Sequence, residues 1–294
     1  MLQFKPLTLS DRDIFHKYIY PYNFETCEYS FINLLMWKNA CDIQYAIFKD
    51  ILIIKKIDFD GSSHFMQPIK YNKENLEEIV ELLNQYKKEN EMDYLFKDAE
   101  TNFIYDFREV FGDKYEIQED RDNFDYIYES QKLVSLSGKE LHKKKNHLNY
   151  FIKNIEHQDV DLTQDLTKPC LIAAREWCCK NFCRGYLLSE LRAIEELLMN
   201  KEDLNLIGMA VYINGKISAF SLGEIVNKDM AIIHVEKADS DIRGLYNYIN
   251  KAFVEKYLKH IPYINREQDL GIEGLRAAKL SYAPYGFAKK YKIK

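Results

Sequence analysis

The order in which strand-like and helix-like segments follow one another occurs twice along the 294 residues of the chain. In each half, three runs rich in apolar and β-branched residues precede a helix, a further strand and another helix. In the first half these segments are residues 43–48, 51–57, 64–68, 72–86, 93–97 and 103–111. In the second half they are residues 206–213, 216–224, 230–235, 245–260, 263–266 and 272–280. The repeat predicts two similar α/β halves, although they share no obvious sequence identity.

Two segments make this assignment specific. The helix that opens at Asn72 places Leu76, Ile79 and Leu83 on one face, at the 3.6-residue period of an amphipathic helix. Asn214-Gly215 separates the first two strands of the second half, and this dipeptide favours a two-residue hairpin turn. Those two strands are therefore expected to be antiparallel neighbours.

Three antiparallel strands, a helix, a parallel strand and a second helix form the layout of the acetyltransferase-like fold. The sequence thus predicts an α/β (α+β) protein with two tandem acetyltransferase-like (GNAT-like) domains, each built on a mixed sheet. We place the N-terminal domain at residues 1–130 and the C-terminal domain, which carries the candidate site, at residues 131–294. A fold has no chemistry by itself, so function must be argued from particular side chains.

Charge and hydropathy exclude some partners. The formal net charge is -5 and the pI about 5.9, so the chain has no overall basic field and DNA binding is not expected. No apolar run approaches the roughly 18–20 residues that a membrane helix needs. The N-terminus lacks the basic-then-apolar layout of a signal peptide. We expect a cytoplasmic protein without a transmembrane segment, and its oligomeric state stays open.

The cysteines are too few for a disulfide framework in a chain of this length. Four of the six lie close together in the sequence, at Cys170, Cys178, Cys179 and Cys183. Their spacing is compatible with zinc, but a structural zinc site usually needs a second pair of ligands, and no His-x3-5-His follows. We therefore favour small residues on a helix face and predict no metal site.

The densest polar stretch is residues 265–272, which follow a predicted strand and lead into a helix. Ligands of open α/β sheets usually bind at such a junction. We take Asn265, Arg266, Glu267 and Asp269 as candidate substrate-binding residues. The alternative is a solvated loop in which Asp269 caps the next helix.

Four further side chains complete the candidate site. Arg276 and Lys279 are three residues apart on one helix face, where both can address one anionic group, although an ordinary charged surface explains them equally well. Tyr282 is a candidate proton donor to a leaving group. Glu236 is a candidate general base for an amine nucleophile, or it pairs with Lys237 or Arg266 and only holds the loop.

The concentrated positive patch of the chain lies between Lys139 and Lys153 and includes Lys145, a further candidate substrate-binding residue. Such a patch meets phosphates of tRNA, of lipid head groups or of a nucleotide. A charge run is more often a solvated helix face, and we favour that interpretation for most of these residues.

Several of these segments carry a resemblance to a known family. They are Cys27-Glu28-Tyr29-Ser30-Phe31 with Trp37, Arg121 with Asp125-Tyr126, Gly138 with Lys144-Lys145-Asn146, Glu236-Lys237-Ala238-Asp239, Ile264 to Gly271, Gly274-Leu275-Arg276 and Lys279-Leu280-Ser281-Tyr282. With them the chain resembles the DUF2156 family, which is similar to the C-terminal domain of bacterial phosphatidylglycerol lysyltransferases. The resemblance implies a tandem acetyltransferase-like fold. It also implies transfer of an acyl group, including an aminoacyl group from charged tRNA, to an amine or hydroxyl.

Coenzyme A is disfavoured as a cofactor. In acetyltransferases its pyrophosphate sits on a loop of the form Gln/Arg-x-x-Gly-x-Gly/Ala, bound by backbone N–H groups and a helix N-terminus. The loop from Asp239 to Tyr246 contains one glycine, Gly244. Taken as the first glycine, it puts Asp241 at the basic position; taken as the last, it leaves Asp239 and Ile242 where other residues are required. Neither alignment fits, and two carboxylates repel a pyrophosphate.

The leading hypothesis is an acyltransferase or aminoacyltransferase that acts by direct attack, with a small-molecule or aminoacyl-tRNA donor. No cysteine or serine lies beside an obvious activating histidine. The alternative is a non-catalytic protein that binds a small anionic metabolite or a peptide on a degenerate acetyltransferase fold. A third hypothesis is an RNA-binding adaptor that uses the patch between Lys139 and Lys153.

Overall fold

The computed structural model describes residues 2–180 and 184–294. The chain divides into two compact units: the residues up to Phe124 together with Ala288–Lys294 form the first, and Asp125–Phe287 form the second. Each unit contains one mixed sheet with helices, so the predicted fold class is confirmed. None of the helices in the described ranges has the length and apolar character needed to cross a bilayer.

The helices are α1 Arg12–Ile19, α2 Phe31–Trp37, α3 Lys73–Glu89, α4 Thr101–Phe111, α5 Ser130–Ser135, α6 His142–Asn154, α7 Thr167–Lys180, α8 Tyr186–Met199, α9 Leu245–Phe253 and α10 Glu273–Leu280. Helix α9 continues into a π-helical turn at Val254–Leu258. Short 3₁₀ turns lie at Leu9–Asp11, Cys27–Tyr29, Arg121–Asn123, Lys139–Leu141 and Gln164–Leu166.

The cysteine group of the sequence lies in and after α7. Cys170 is buried in this helix and Cys179 is exposed. Cys183 lies outside the described residues, and so do the residues after Lys180 with which the predicted helix ended.

The strands of the first half are β1 Lys5–Pro6, β2 Gln44–Phe48, β3 Ile51–Ile57, β4 Ser63–Phe65, β5 Phe96–Glu100, β6 Ile117–Glu119 and β7 Asp125–Glu129. Those of the second half are β8 Gln158–Asp161, β9 Ile207–Ile213, β10 Lys216–Ile225, β11 Met230–Ala238, β12 Tyr263–Asn265, β13 Gly286–Ala288 and β14 Lys290–Ile293.

The sheet of the first unit has the strand order β1-β2-β3-β4-β5-β14-β6. Strands β4 and β5 are parallel, and the other pairings are antiparallel. The predicted apolar face of α3 is confirmed, because Leu76, Ile79 and Leu83 are buried in the core of this unit together with Phe103 and Phe107 of α4. Asn72 begins α3 by accepting a hydrogen bond from the backbone N–H of Asn75, which supplies a partner for one of the free amides of the first turn.

The sheet of the second unit has the order β13-β7-β12-β11-β10-β9-β8. The predicted hairpin is confirmed: Ile213 pairs with Lys216, and Asn214 and Gly215 have φ of 52° and 75°, as the turn requires. Strands β11 and β12 are parallel, as expected for strands joined by a helix, here α9. The core behind this sheet is formed by buried side chains of α6, α9 and the central strands.

The pairing of two strands differs from the sequence-based expectation. Strand β7 was placed in the first half but pairs with β12 in the second unit, and β14 was placed in the second half but lies between β5 and β6 in the first. The predicted division at residue 130 differs from the observed units for this reason. In the first sheet the antiparallel strand β14 pairs with the free edge of β5, and in the second sheet the antiparallel strand β7 pairs with the free edge of β12. Without them, the backbone groups along those edges would be unpaired.

Two elements of the second unit were missed. Strand β8 is polar and mostly exposed, and it lies at the edge of the sheet, so it lacks the apolar alternation by which strands are recognised. Helix α5 is too short for its periodicity to be read from the sequence.

Candidate functional site

The candidate site lies where β11 and β12 separate. Strand β11 runs to Ala238, but its pairing with β12 covers Met230 to Ile232, and the chain leaves the sheet after Asn265. The carboxyl-terminal part of β11 and the loop after β12 therefore diverge and leave room for side chains between them. In open α/β sheets, ligands usually bind outside the carboxyl ends of strands.

Arg266 occupies this opening. Its Nη2 donates to Oε1 of Glu236 at 2.8 Å, and Oε2 of Glu236 accepts from Nδ2 of Asn250 at 2.7 Å. The guanidinium lies over the rings of Tyr128 and Tyr282, with 5.4 Å and 4.8 Å to the ring centres. Nη1 of Arg266 is buried and has no hydrogen-bond partner among the residues that the structure describes. A fixed cation thus presents one unused donor, as an oxyanion or phosphate site requires.

The Tyr282 hydroxyl lies next to this cation. It accepts a hydrogen bond from Nδ2 of Asn247 at 2.7 Å, and the Lys144 ammonium lies 4.4 Å from the centre of its ring. Burial raises the pKa of Tyr282 to about 12, although Arg266 opposes the shift. Tyr282 is therefore protonated near neutral pH, and since its oxygen accepts from Asn247, its O–H remains able to donate.

Two lysines next to Arg266 have a pKa below the ordinary lysine value. Burial and the nearby Arg266 charge lower the pKa of Lys279 to about 8, and its Nζ donates to the backbone oxygen of Arg266. Burial, Arg266 and Lys143 lower the pKa of Lys144. Positive charge is thus concentrated in this part of the second unit, which favours an anionic ligand.

Asp269 and Arg276 hold the loop closed. Nε and Nη2 of Arg276 donate to the two carboxylate oxygens of Asp269 at 2.9 Å and 2.8 Å, and the Tyr126 hydroxyl donates to Asp269 at 2.6 Å. Although burial alone would raise it, these hydrogen bonds lower the pKa of Asp269 to about 2. The loop needs such support, since Glu267 and Leu270 both have positive φ, at 58° and 54°.

Asn265 and Glu267 are also engaged within the protein. The Asn265 amide donates to Asp125 at 2.8 Å, and its oxygen accepts from the backbone N–H of Glu267 at 2.7 Å. His234 lies between two carboxylates, with Nδ1 at 2.9 Å from Glu267 and Nε2 at 3.0 Å from Glu224. Burial disfavours its charge, but these two hydrogen bonds raise the pKa of His234 to about 9.

The structure separates the predicted site residues into two groups. Glu236, Arg266, Lys279 and Tyr282 come together at the opening. The other four, Asn265, Glu267, Asp269 and Arg276, bind one another or their neighbours and shape the loop. Arg276 is paired with Asp269 and Lys279 donates to the backbone oxygen of Arg266, so that the common anion predicted for them stays a prediction. Of the two basic residues considered as partners of Glu236, Arg266 forms the ion pair. The other, Lys237, pairs with Glu190 at 2.7 Å.

Lys145 is exposed, and the neighbouring Lys144 reaches Tyr282 instead. The sequence contained a signal that Lys144 faces the protein: it stands four residues before Leu148 and seven before Phe151, which are both buried in α6. Asn247, Asn250 and Tyr128 were also missed. Polar residues on an otherwise apolar helix, as in α9, were the available signal for the two asparagines.

The acidic side chains of the loop from Asp239 to Tyr246 are paired within the protein. The Lys180 ammonium lies 3.2 Å from Asp239 and 3.1 Å from Asp241, and the Asp241 backbone N–H donates to the Asp239 side chain. Gly244 has φ of 87°, and a Cβ there would lie 2.2 Å from the backbone oxygen of His147. The glycine is thus required for close packing of α9 against α6, which explains it without a phosphate.

Fold and site together define a protein with a tandem acetyltransferase-like fold and a polar opening in its second unit. A tandem GNAT protein of clavulanic acid biosynthesis has this fold, with a TM-score of 0.50 and 8% identity over 100% of this chain and 97% of that one. The chain belongs to the family described as "Phosphatidylglycerol lysyltransferase, C-terminal", whose model matches residues 21–294. The resemblance to DUF2156 is thereby confirmed.

The chain is also similar to individual proteins. A conserved protein of unknown function from Bacteroides thetaiotaomicron is 34% identical, with a TM-score of 0.90 over 100% of this chain and 99% of that one. The DUF2156 domain of a protein named as a lysylphosphatidylglycerol synthetase from Agrobacterium fabrum has a TM-score of 0.63 at 13% identity, over 97% and 91% of the two chains. An uncharacterised protein of Mycoplasmoides gallisepticum is 32% identical over 185 residues, which are 60% of this chain and 58% of that relative's length.

Proposed function

We propose that the protein transfers an acyl group, in particular the aminoacyl group of a charged tRNA, to an amine or hydroxyl acceptor in its second unit. One observation carries this proposal: the buried Arg266–Glu236 pair lies beside the Tyr282 hydroxyl where β11 and β12 separate, with Nη1 of Arg266 unused. Membership of a family named for a lysyltransferase supports the reaction class.

The side chains have distinct roles in the proposed reaction. The acceptor nitrogen or oxygen attacks the ester carbonyl of the donor, and Nη1 of Arg266 stabilises the charge that develops on the carbonyl oxygen. As the C–O bond breaks, the Tyr282 hydroxyl protonates the leaving oxygen. The proton of the acceptor passes to Glu236, whose carboxylate also orients Arg266. The tyrosinate regains its proton from solvent, and Glu236 releases one.

Coenzyme A remains a disfavoured donor. If the loop from Asp239 to Tyr246 corresponds to the pyrophosphate loop of acetyltransferases, a coenzyme A pyrophosphate would meet the carboxylates of Asp239 and Asp241, which are paired with a single lysine. Two backbone N–H groups of this loop are already used, since those of Asp241 and Ile242 both donate to Asp239. A donor whose phosphates bind elsewhere fits this geometry better.

The proposal is tested by turnover of charged tRNA. Transfer RNAs carrying labelled amino acids are mixed with a set of amine and hydroxyl acceptors, and loss of the ester is followed for the wild type and for Tyr282→Phe. We expect kcat/KM to fall about a hundredfold, the range for loss of a general acid. Tyr285→Phe is the matched control, since Tyr285 is 63% exposed. Equal rates for wild type and Tyr282→Phe, or equal losses in both variants, contradict the assignment.

A second candidate function is binding without turnover. The observation in its favour is that both carboxylate oxygens of Glu236 are already engaged, one by Arg266 and the other by Asn250. A small anionic metabolite or a peptide would then bind at Arg266 unchanged. Saturable binding that Arg266→Gln abolishes, with no ester consumed from any charged tRNA, would favour this function over transfer.

A further inference from the structure

A basic groove lies beside the candidate site in the second unit. It has a volume of ≈ 340 Å³, and its lining residues are Glu140, Lys143, Lys144, His147, Asn247 and Ser281. Helix α6 supplies the two lysines and the histidine, and Asn247 donates to the Tyr282 hydroxyl. One end of the groove therefore meets the proposed proton donor.

Among the described residues, the lysines that line the groove are not paired with carboxylates. In the described part of the chain, Lys143, Lys144 and Arg243 form no ion pair with a carboxylate. Glu140 is the acidic residue among those lining the groove, and its carboxylate lies 3.9 Å from Lys132. Holding like charges together in a partly buried place costs free energy, which a bound anion would offset.

Aromatic rings accompany these cations along α6. The Arg243 guanidinium lies 4.3 Å from the centre of the Tyr150 ring, and Tyr150 is 40% exposed. Nε of Arg243 is 3.4 Å from Nδ1 of His147. Lys144, His147 and Tyr150 are spaced by three residues, so they follow one another along a face of the helix.

We propose that this groove binds phosphodiesters at the single-stranded end of an RNA, in a path that leads along α6 towards Tyr282. Single-strand sites combine a basic groove that follows the backbone with aromatic faces on which bases stack. A lipid site would place apolar side chains beside the cations, and the six lining residues include none. The inference rests on the proposed function, because it identifies where the RNA of the donor would lie.

The test uses uncharged RNA, so that it is independent of turnover. Binding of a fluorescein-labelled single strand of about eight nucleotides is followed by anisotropy over a range of salt concentrations. Lys143→Glu and Arg243→Glu are each expected to weaken binding about tenfold or more, the effect of losing one charge-assisted contact. Each should also reduce the slope of log K against log salt by roughly 0.7. Lys145→Glu is the matched control, with the same charge change on the same helix at an exposed position outside the groove.

Several outcomes would overturn the inference. One is an equal loss of affinity in Lys143→Glu and Lys145→Glu, which would indicate nonspecific attraction to the helix. Another is the absence of saturable RNA binding while vesicles of phosphatidylcholine with anionic phosphatidylserine bind and depend on Lys143. Circular dichroism and thermal melting show whether each variant is folded. If the protein binds RNA in the groove but transfers no acyl group, the proposed function is rejected and the groove is not. If Lys143→Glu and Arg243→Glu transfer the acyl group as fast as the wild type, the groove is rejected and the proposed function is not.

Discussion

Arg266 combines three features that another residue would not reproduce together: a hydrogen-bonded ion pair with Glu236, cation–π contacts with Tyr128 and Tyr282, and a buried Nη1 without a partner among the described residues. A guanidinium provides all three because it is planar and has donors on two sides. Lysine keeps the charge, but its ammonium has no planar face and donates from a single nitrogen.

We expect Arg266→Lys to lower kcat/KM for transfer by about tenfold or more while the melting temperature changes little. Activity on charged tRNA and thermal unfolding measure the two effects. Arg175→Lys is the matched control, because Arg175 forms an exposed ion pair with Glu195 at 3.0 Å. Full activity of Arg266→Lys would show that the geometry of the guanidinium is not used.

His234 makes the stability of the protein depend on pH. Burial alone would lower the pKa of His234, but hydrogen bonds from its ring to Glu224 and Glu267 raise this pKa from the ordinary 6.5 to about 9 in the folded protein. A raised folded pKa stabilises the protein fully below about pH 6.5, and this stabilisation is lost as the pH rises through about 9. It amounts to roughly 3 kcal/mol.

The free energy of unfolding of wild type and His234→Gln, measured from pH 6 to pH 10, isolates this effect. The difference between the two proteins should be largest at pH 6 and should shrink towards pH 10. Using the difference removes the contribution of Lys279, which titrates near pH 8 in both proteins. A difference that does not vary with pH would mean that His234 is not charged in the folded state.

The sequence indicates which residues lie near the candidate site better than it indicates which residues they contact. Glu236, Arg266 and Tyr282 were predicted and lie together. Asp269 and Arg276 were predicted as ligand-binding residues but bind each other, and this pairing depends on a loop with positive φ at Glu267 that no local pattern indicates. Lys144 was predictable from its spacing to the buried positions of α6, and Lys145 was chosen from the charge run alone.

Among the elements, α9 depends on one glycine. Gly244 precedes the helix at φ of 87°, and an added Cβ would approach the backbone oxygen of His147 to 2.2 Å. Backbone cannot move as a flexible side chain does, so α9 and α6 would have to separate.

We therefore expect Gly244→Ala to destabilise the protein by about 1–3 kcal/mol, from positive-φ strain and overpacking together. Chemical denaturation measures the change. Gly274→Ala in α10 is the matched control: nothing lies within 4 Å of its Cβ position, and alanine is the better helix former. Equal stability of Gly244→Ala and wild type would mean that α9 packs more loosely against α6 than the structure shows.

The order of elements was predictable because apolar periodicity and turn residues are local. The partners of β7 and β14 were not, since a strand is recognised by its own pattern while its neighbours are set by contacts far along the chain. Strand β14 follows closely on the second unit in sequence and nevertheless pairs with β5 and β6 of the first.

In the whole molecule, the first unit depends on a strand that lies outside its main run of sequence. Strand β14 fills the place between β5 and β6, and its Lys290 is fully buried and paired with Glu28. Removing it takes away a central strand and one partner of a buried ion pair, a loss that is strongly destabilising.

Deleting residues 288–294 should unfold the first unit. Limited proteolysis with mass spectrometry would show rapid cleavage within residues 2–124, whereas deletion of Lys294 alone, which lies beyond β14, should leave that region resistant. Equal resistance of both deletions would mean that β14 contributes little to the first sheet.

We propose that the donor binds in the second unit, at the opening between β11 and β12 and along α6. Hydrogen exchange of the protein, with and without an RNA hairpin that carries its amino acid through a stable amide, tests it most directly. We expect slower exchange in α6, in α9 and in residues 263–282, with no comparable change in β2, β3 and β5. Protection confined to the first unit, or none at saturating ligand, would contradict it.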